Sequence, residues 1–358
     1  MAGFGQSTQS ILADSHPRDM IEDGGSATVS NPLRSFMSTQ PTCSVMMATY
    51  RPKAFLSSQI SSVVSQEGVS VKLLISDDSE NKEVLKSLLD VSCVQGSTLI
   101  PGQVDIIDGP QAGLASLNFF NLVLNNSCEA EFYAFADQDD IWRADKLAQA
   151  IELLTMTGAD CYSSELNIWT PPRSFLSSVI SHRWRIKKGL FGLFFAEGAG
   201  CTYVISRTAF LSLQQRLHEI VSKDLLCLLF SHDLFTSAFL HSQGFKWYHD
   251  NRSMIYYRQH QSNVWSAHVI SFDGLRKRLN LLRRQHYYAL LYLAWMGSPL
   301  GSIASQSWRS LCRLSIRDRV FLLYTAFNAI NIFTLKTVGL VFFILFTRKQ
   351  QLMPCNLD

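Results

Sequence analysis

Residues 135–142 read Phe-Ala-Asp-Gln-Asp-Asp-Ile-Trp, and this stretch decides the predicted fold. It overlaps the end of a largely apolar run at residues 131–136, which is typical of a buried strand. A strand that ends in acids presents them at its carboxyl edge, where open α/β sheets bind ligands. Carboxylate oxygens are hard ligands that suit Mg²⁺ or Mn²⁺. The same residues also allow a solvated turn in which Asp140 or Asp145 caps the next helix.

The composition limits the classes of protein to which this chain can belong. The chain has 358 residues, 47% hydrophobic and 17% charged, which is enough for one large domain with an appendage or for two domains. A net charge of +3 is too small to argue for nucleic acid, and we expect no such partner. The eight cysteines form no CxxC pair, so reduced thiols are favoured over a zinc knuckle or a disulfide framework. The first forty residues lack an apolar signal-peptide core, so we expect a cytoplasmic protein.

Strand and helix patterns alternate four times after a polar leader at residues 1–41, which we expect to be disordered. The strand patterns lie near residues 43–48, 71–76, 104–107 and 131–136, and each is followed by apolar residues at helical spacing. This alternation predicts a doubly wound α/β half with a parallel sheet. The second strand also ends in acids, Asp77 and Asp78. Beyond it, strands are predicted at residues 160–164 and 201–206.

Several motifs together resemble the family-two glycosyltransferases of the GT-A fold, and most closely their rhamnosyltransferase-like members. The matching positions are residues 45–52, 75–79, Gly113, Asn118, 137–142, 146–147, 232–233 and 257–260. The resemblance implies a GT-A domain over residues 42–265, with a Rossmann-like, mostly parallel sheet and helices on both faces. A helical and apolar region, residues 266–358, would follow it.

The resemblance implies a metal and diphosphate site on the acidic loop. Asp137 and Asp139 would form the DXD pair that holds Mg²⁺ or Mn²⁺ on the diphosphate of the sugar donor, with Asp137 also beside the nucleotide. Arg258 would pair with the phosphates, and His260 would add a contact to metal or phosphate.

The resemblance also implies a nucleotide site at the ends of the first strands. Asp78 would accept a hydrogen bond from the pyrimidine ring, which thymine and uracil both offer. Thr49 and Arg51 would lie beside the nucleotide, and Gly113 and Asn118 would let backbone approach it. Taken alone, the acids near Asp78 are also compatible with a turn or cap, and Gly113 with an ordinary loop.

Asp233 would be the general base, because inverting transfer needs a carboxylate to take the proton of the acceptor hydroxyl. Family members often carry Glu-Asp here, whereas this chain has His232 before Asp233. A helix-capping aspartate is the alternative. Residues 197–202 are predicted to line the sugar or acceptor pocket, because their glycines would admit a ligand close to the backbone.

Residues 320–346 are strongly apolar, with Lys336 as their one charge, and are long enough for a bilayer crossing of about 20 residues. Basic residues flank the segment on both sides, and residues 276–284 add more. We expect an interfacial anchor on the inner face of the cell membrane. The alternative is a buried helical hairpin that packs on the enzyme or on a second copy in a homo-oligomer.

The sequence therefore predicts an inverting glycosyltransferase, with L-rhamnose as a candidate sugar. The donor would be a dTDP- or UDP-linked sugar, and the acceptor a cell-surface polysaccharide such as O-antigen or a lipid-linked glycan. A sugar-nucleotide pyrophosphorylase is one alternative, although residues 48–52 are not the Gly-rich loop that it needs. A non-catalytic, membrane-associated subunit of a polysaccharide assembly complex is the other.

Overall fold

The computed structural model describes residues 40–87, 102–169, 179–182, 191–260, 284–313 and 315–329. All of these described residues belong to one compact unit. The leader predicted at residues 1–41 lies, up to residue 39, outside the described residues, as do positions 276–283 of the basic stretch. The predicted domain boundary near residue 265 also falls there and stays a prediction.

Four parallel strands form the first half of the sheet, as predicted. They are β1 (Thr42–Thr49), β2 (Ser70–Asp77), β3 (Val104–Asp108) and β4 (Phe132–Ala136), in the order β3-β2-β1-β4. Helix α1 (Phe55–Val64) connects β1 to β2, and helix α2 (Ala115–Asn125) connects β3 to β4. Because these strands run in one direction, their acidic ends share one edge.

The second half continues the same sheet with mixed directions. Its elements are β5 (Ile141–Trp142), α3 (Lys146–Thr157), β6 (Cys161–Trp169), β7 (Val179–His182), α4 (Phe191–Phe194), β8 (Val204–Ser206), α5 (Arg207–Val221), α6 (His232–Ser242) and β9 (Trp247–Arg258). The order continues β4-β8-β6-β9-β5, with β7 on β6. Only β6 and β9 pair in parallel here. The strand predicted at residues 201–206 is shorter, because a 3₁₀ turn occupies Gly200–Thr202.

Helices cover both faces of the sheet, because strand side chains alternate between them. Val45 and Met47 of β1 pack in a core layer with α1 and α3, whereas Met46 packs in the opposite layer with α2, α5 and α6. Both layers are continuous apolar cores, and the predicted α/β architecture is confirmed.

Three further helices follow: α7 (Arg284–Trp295), α8 (Ile303–Arg313) and α9 (Ile316–Ala329). Leu293 and Trp295 of α7 and Leu322 of α9 are buried in the same core layer as α6. Helix α9 thus includes the start of the apolar segment predicted at residues 320–346, and residues 330–346 lie outside the described part. Among the described helices, none combines the length and the apolar character that a bilayer crossing requires.

Candidate active site

The ends of β1 and β2 are tied together by polar side chains. Thr49 is opposite Asp77 in the β1–β2 pairing, and its hydroxyl donates to Asp77 Oδ1 at 3.1 Å. Asn118 Nδ2 donates to the carbonyls of Thr49 and Ser76, both at 3.0 Å. Thr49 and Asn118 are both buried. Thr49 and Asn118, which are predicted to lie near a nucleotide, therefore also hold the ends of β1 and β2 in place.

Asp78 holds the next loop against this edge. Its carboxylate accepts the N–H of Gly113 at 2.7 Å and that of Ala112 at 3.3 Å. Gly113 has φ +64°, a conformation that favours glycine. Gly109 lies even closer, because a Cβ on it would be 2.6 Å from Asp78 Cα. Asp78 and Gly113 are thus neighbours, as the predicted nucleotide site requires.

Arg51 stands at the rim of the same edge. Its side chain is largely exposed and forms an ion pair with exposed Glu80 at 2.9 Å. Its backbone N–H donates to Ser79 Oγ at 2.7 Å. An ion pair between exposed groups contributes little to stability, so the guanidinium is available for exchange with a ligand.

Strand β9 brings Arg258 and His260 onto the acidic loop, because it pairs with the short β5 directly after that loop. His260 Nε2 lies 2.6 Å from Asp139 Oδ2. The Arg258 side chain donates through Nε to the backbone carbonyl of Asp139 at 2.8 Å. The backbone N–H of Arg258 donates to Asp140 Oδ1 at 3.2 Å. Residues about 120 positions apart therefore form one cluster, as the diphosphate site predicts.

Aromatic rings support the two basic residues. The Arg258 guanidinium lies 4.2 Å from the centre of the Trp169 ring, and the His260 ring stacks on Phe55 at 5.1 Å. Burial lowers the pKa of Arg258, although an arginine remains charged in practice. The rings keep both side chains over the acidic loop.

A second acidic group lies on the same loop. Oxygens of Asp137 and Asp140 and the sulfur of Cys201 lie within 4.8 Å of one another. Burial, then the charges of Asp139 and Asp233, raise the pKa of Asp137 to about 7. Burial also raises the pKa of Asp140 well above its usual range, and its Oδ2 is buried with no hydrogen-bond partner in the described part. Full ionisation of these carboxyl groups is therefore unfavourable without a partner that neutralises them.

This donor set fits a divalent cation. Mg²⁺ and Mn²⁺ favour carboxylate oxygens, and imidazole is also a ligand of transition metals. Of the predicted ligands, Asp139 and His260 are in direct contact, whereas Asp137 groups with Asp140 and Cys201. Burial and the two carboxylates raise the pKa of the Cys201 thiol well above its ordinary value, so it is a neutral neighbour here.

Asp233 lies in the first turn of α6, near the acidic loop. Its Oδ1 accepts the N–H of Leu234 at 2.8 Å and the hydroxyl of Ser231. Its negative charge also helps to raise the pKa of Asp137. The side chain is therefore part of the helix start, and its charge acts on the predicted metal ligand Asp137. The role of general base stays a prediction.

His232 is held between aromatic rings and a glycine. Its ring stacks on Phe119 at 3.9 Å, and its Nε2 is buried with no partner among the described residues. A Cβ on Gly200 would lie 2.5 Å from that nitrogen. Burial lowers the pKa of His232, so the imidazole is neutral. A Gly at position 200 is thus needed for the observed position of His232.

Known proteins are similar to this chain in sequence. No family model matches the chain. The curated dTDP-rhamnosyl transferase RfbG of Shigella flexneri is 31% identical over 247 residues, which cover 67% of this chain and 80% of that protein. The chain belongs to the rhamnosyltransferase-like glycosyltransferases.

Solved structures of TarS from S. aureus are also similar to this glycosyltransferase. TarS 1–349 in complex with UDP-GlcNAc is 10% identical, with a TM-score of 0.47 over 81% of this chain and 82% of that chain. A longer TarS structure gives a TM-score of 0.46 at 9% identity, and this glycosyltransferase covers half of it.

Family membership makes the protein a nucleotide-sugar glycosyltransferase, as the sequence predicted. The pyrophosphorylase and the non-catalytic subunit are set aside on the same ground. The roles of the individual site residues stay predictions, which the contacts above support to different degrees.

Two residues that the glycosyltransferase buries at its site were not named as site candidates. Asp140 was named only as a member of the acidic cluster and motif or, alternatively, as a helix cap, and Cys201 only as part of a predicted strand and of a pocket-lining segment. Asp140 is fully buried, and its burial follows from its place between two strands that pair with distant parts of the chain. Lys146, which the sequence analysis gave only as part of the matching motif at residues 146–147, is also fully buried. Its Nζ lies 3.6 Å from the centre of the Trp142 ring. No local pattern marks such burial.

Proposed function

We propose that this glycosyltransferase moves L-rhamnose from dTDP-rhamnose to a glycan, with inversion at the anomeric carbon. The observation that carries the proposal is the convergence of Asp139, Arg258 and His260 on one loop, with Asp233 close to that loop. The name of the curated relative supports the choice of dTDP and rhamnose. A UDP-linked donor offers the same ring N–H and is the alternative that the experiment separates.

The donor diphosphate would bind between β9 and the acidic loop. Arg258 is the buried cation there, and its guanidinium can meet phosphate oxygens in a bidentate manner. Asp137 and Asp139 would hold Mg²⁺ or Mn²⁺, with His260 beside them, and the ion would neutralise charge that develops on the leaving diphosphate. Arg258 and His260 would exclude water from the phosphates because aromatic rings back both of them.

Asp233 would take the proton of the acceptor hydroxyl. A carboxylate that accepts hydrogen bonds from Ser231 and Leu234 through one oxygen keeps its other oxygen for the acceptor. Those two bonds also fix the side chain, so that little reorientation is needed during attack. Gly200 leaves space beside His232 and Asp233 for this arrangement.

The acceptor would be a cell-surface polysaccharide or a lipid-linked glycan, and the enzyme would work on the inner face of the cell membrane. The basic and apolar character of residues 266–358 supports this location, because anionic lipid attracts such segments.

The test is binding and transfer with the full chain. We expect dTDP to bind more tightly than UDP or GDP, the binding to need Mn²⁺ or Mg²⁺, and Asp139→Ala to lose the metal-dependent part. The control is Asp145→Ala, because Asp145 lies just before α3 and pairs with the partly exposed Arg143 at 3.0 Å. Transfer from dTDP-rhamnose, followed by NMR of the new linkage, gives the sugar and the stereochemistry. Metal-independent binding, or equal binding of all three nucleotides, would contradict the proposal.

A further inference from the structure

Helix α9 presents an apolar stripe to solvent. Ile316, Val320 and Tyr324 are 81%, 60% and 68% exposed. They are four residues apart, so they lie within about 80° of one another and span about 12 Å of the helix. The opposite side of the helix carries the buried Leu322. The helix thus has a core face and a separate exposed apolar face.

Arginines border this stripe on both sides. At about 100° per residue, Arg317 lies at the Tyr324 edge of the stripe, about 10 Å from Tyr324 along the axis, and Arg319 lies beyond the Ile316 edge. Between residues 284 and 329 the sequence has five arginines and one acidic residue, Asp318. Asp318 is buried, and its carboxylate accepts the N–H and the hydroxyl of Ser315 at 3.0 and 2.5 Å. The acidic side chain is therefore buried at the helix start, whereas Arg317 is exposed.

The stripe on α9 differs from a single exposed apolar residue such as Met156. Met156 of α3 is 74% exposed, but its neighbours on the chain include the acidic Glu152 and no arginine. Single exposed apolar side chains are common and need no partner. A stripe of three with bordering arginines is typical of helices that lie in a membrane interface, with apolar side chains in the acyl region and arginines at the headgroups.

We propose that the exposed face of α9, formed by Ile316, Val320 and Tyr324 with Arg317 and Arg319 at its borders, docks on an anionic lipid bilayer. The charge argues for lipid over a second copy of the chain, because two copies of this face would oppose their arginines. The inference rests on the proposed membrane location and not on sugar transfer. It assigns the lipid contact to the exposed face of α9, whose opposite face packs Leu322 into the core.

The experiment is vesicle sedimentation of the full-length protein without donor or acceptor. Vesicles of phosphatidylglycerol and phosphatidylcholine are compared with vesicles of phosphatidylcholine alone. We expect binding to the anionic vesicles, at least tenfold weaker binding for Val320→Glu/Tyr324→Glu, and about fivefold weaker binding for Arg317→Ala. Matched controls are Met156→Glu and Lys223→Ala, which change an exposed apolar and an exposed basic residue elsewhere and should bind like the parent.

Three results would overturn the proposal. The parent could fail to bind anionic vesicles, or the Val320→Glu/Tyr324→Glu variant could bind as well as the parent. Analytical ultracentrifugation without lipid could show a dimer that this variant abolishes, which would assign the face to a second copy. Thermal unfolding confirms that the variants are folded, and retained dTDP binding separates a failure here from a failure of the proposed function.

Discussion

Residues 42–265 and residues 266–358 differ in the sign and the placement of their charges. The first region has eighteen lysines and arginines and twenty-two acidic residues, whereas the second has twelve and three. Asp139 and Asp140 are consecutive buried acids, and the charge of Asp139 helps to raise the pKa of Asp140, whereas Arg317 is exposed on the helix that carries the apolar stripe. Burial of like charges opposes folding, so such a cluster indicates a ligand that neutralises it. Exposed charges have no such cost, and they indicate a surface that attracts its partner before contact.

The largest effect is expected from Asp233→Asn, which tests whether Asp233 is the general base of the transfer reaction. Asp233→Asn keeps the shape and most hydrogen bonds of the side chain but removes its basicity. We expect kcat to fall about 10²- to 10⁴-fold while the affinity for dTDP is unchanged, as measured by transfer assay and calorimetry. Asp224→Asn, an exposed control, should leave both values unchanged. An Asp233→Asn enzyme with half of the parent activity would place the base elsewhere.

The attachment of the basic region can be broken at Arg216 of α5. Its buried guanidinium donates to the carbonyls of Leu293 at 2.6 and 3.1 Å and of Met296 at 2.9 Å, at the end of α7. Arg216→Met leaves these carbonyls without a partner, and we expect a loss of about 3 kcal/mol of unfolding free energy.

Thermal unfolding measures this loss, and limited proteolysis should show faster cleavage after residue 284. Arg207→Met is the matched control, because Arg207 pairs with the exposed Glu129 at 3.5 Å. Equal stability of the two variants would mean that packing alone fixes the C-terminal helices.

A smaller effect is expected at Gly200. In Gly200→Ala the new methyl group would lie 2.5 Å from His232 Nε2 and 3.1 Å from Asp233 Cβ. We expect kcat to fall about tenfold, because displacement of Asp233 misaligns a reacting group, with an unchanged affinity for dTDP. The double variant Gly200→Ala/His232→Ala lacks the contact with the His232 ring, so Gly200→Ala should cost less activity in the His232→Ala background than in the parent. An equal loss in both backgrounds would exclude contact with His232 as the cause.

The smallest effect concerns the stability of the metal-free protein. The pKa of Asp137 is raised to about 7, so the folded state favours the protonated side chain. Ionisation in the unfolded state near its ordinary pKa of 3.8 therefore lowers stability progressively as the pH rises from about 4 to 7. Asp137→Asn removes this penalty.

In EDTA we expect Asp137→Asn to gain on the order of 1 kcal/mol at pH 8 and less at pH 5, by thermal unfolding. Asp145→Asn should show no such gain, because its hydrogen bond with Arg143 lowers the pKa of Asp145. A gain that is the same at both pH values would show that the effect is not one of charge.

The sequence allowed the first half of the sheet to be predicted because the signals there are local. Short apolar runs ended in acids, which predicted the parallel strands. The register that places Thr49 opposite Asp77 became known only from the structure. The contact of His260 with Asp139 was predicted only through the family resemblance, since 121 positions separate them. Cys201 and Asp140 meet because β4 pairs with β8, and no spacing rule reaches that.

The C-terminal region shows a different limit of sequence reading. The apolar content of residues 320–346 predicted an anchor, but content alone does not tell which side of a helix faces outward. In the structure Leu322 enters the core while Val320 and Tyr324 remain exposed. The distinction depends on helical phase relative to the rest of the protein, which becomes known only after packing.

The two bonds that Asp78 accepts from Ala112 and Gly113 have a consequence for selectivity among nucleotides. A base that offers its ring N–H to Asp78 would share a carboxylate whose charge two backbone N–H groups already stabilise. The free energy of that step is the difference between this hydrogen bond and the bonds to water that it replaces, and it is small. Thymidine alone should therefore bind poorly, and most of the affinity should come from the diphosphate end. Asp78 would act as a filter that rejects bases without a donor at that place, more than as a source of binding strength.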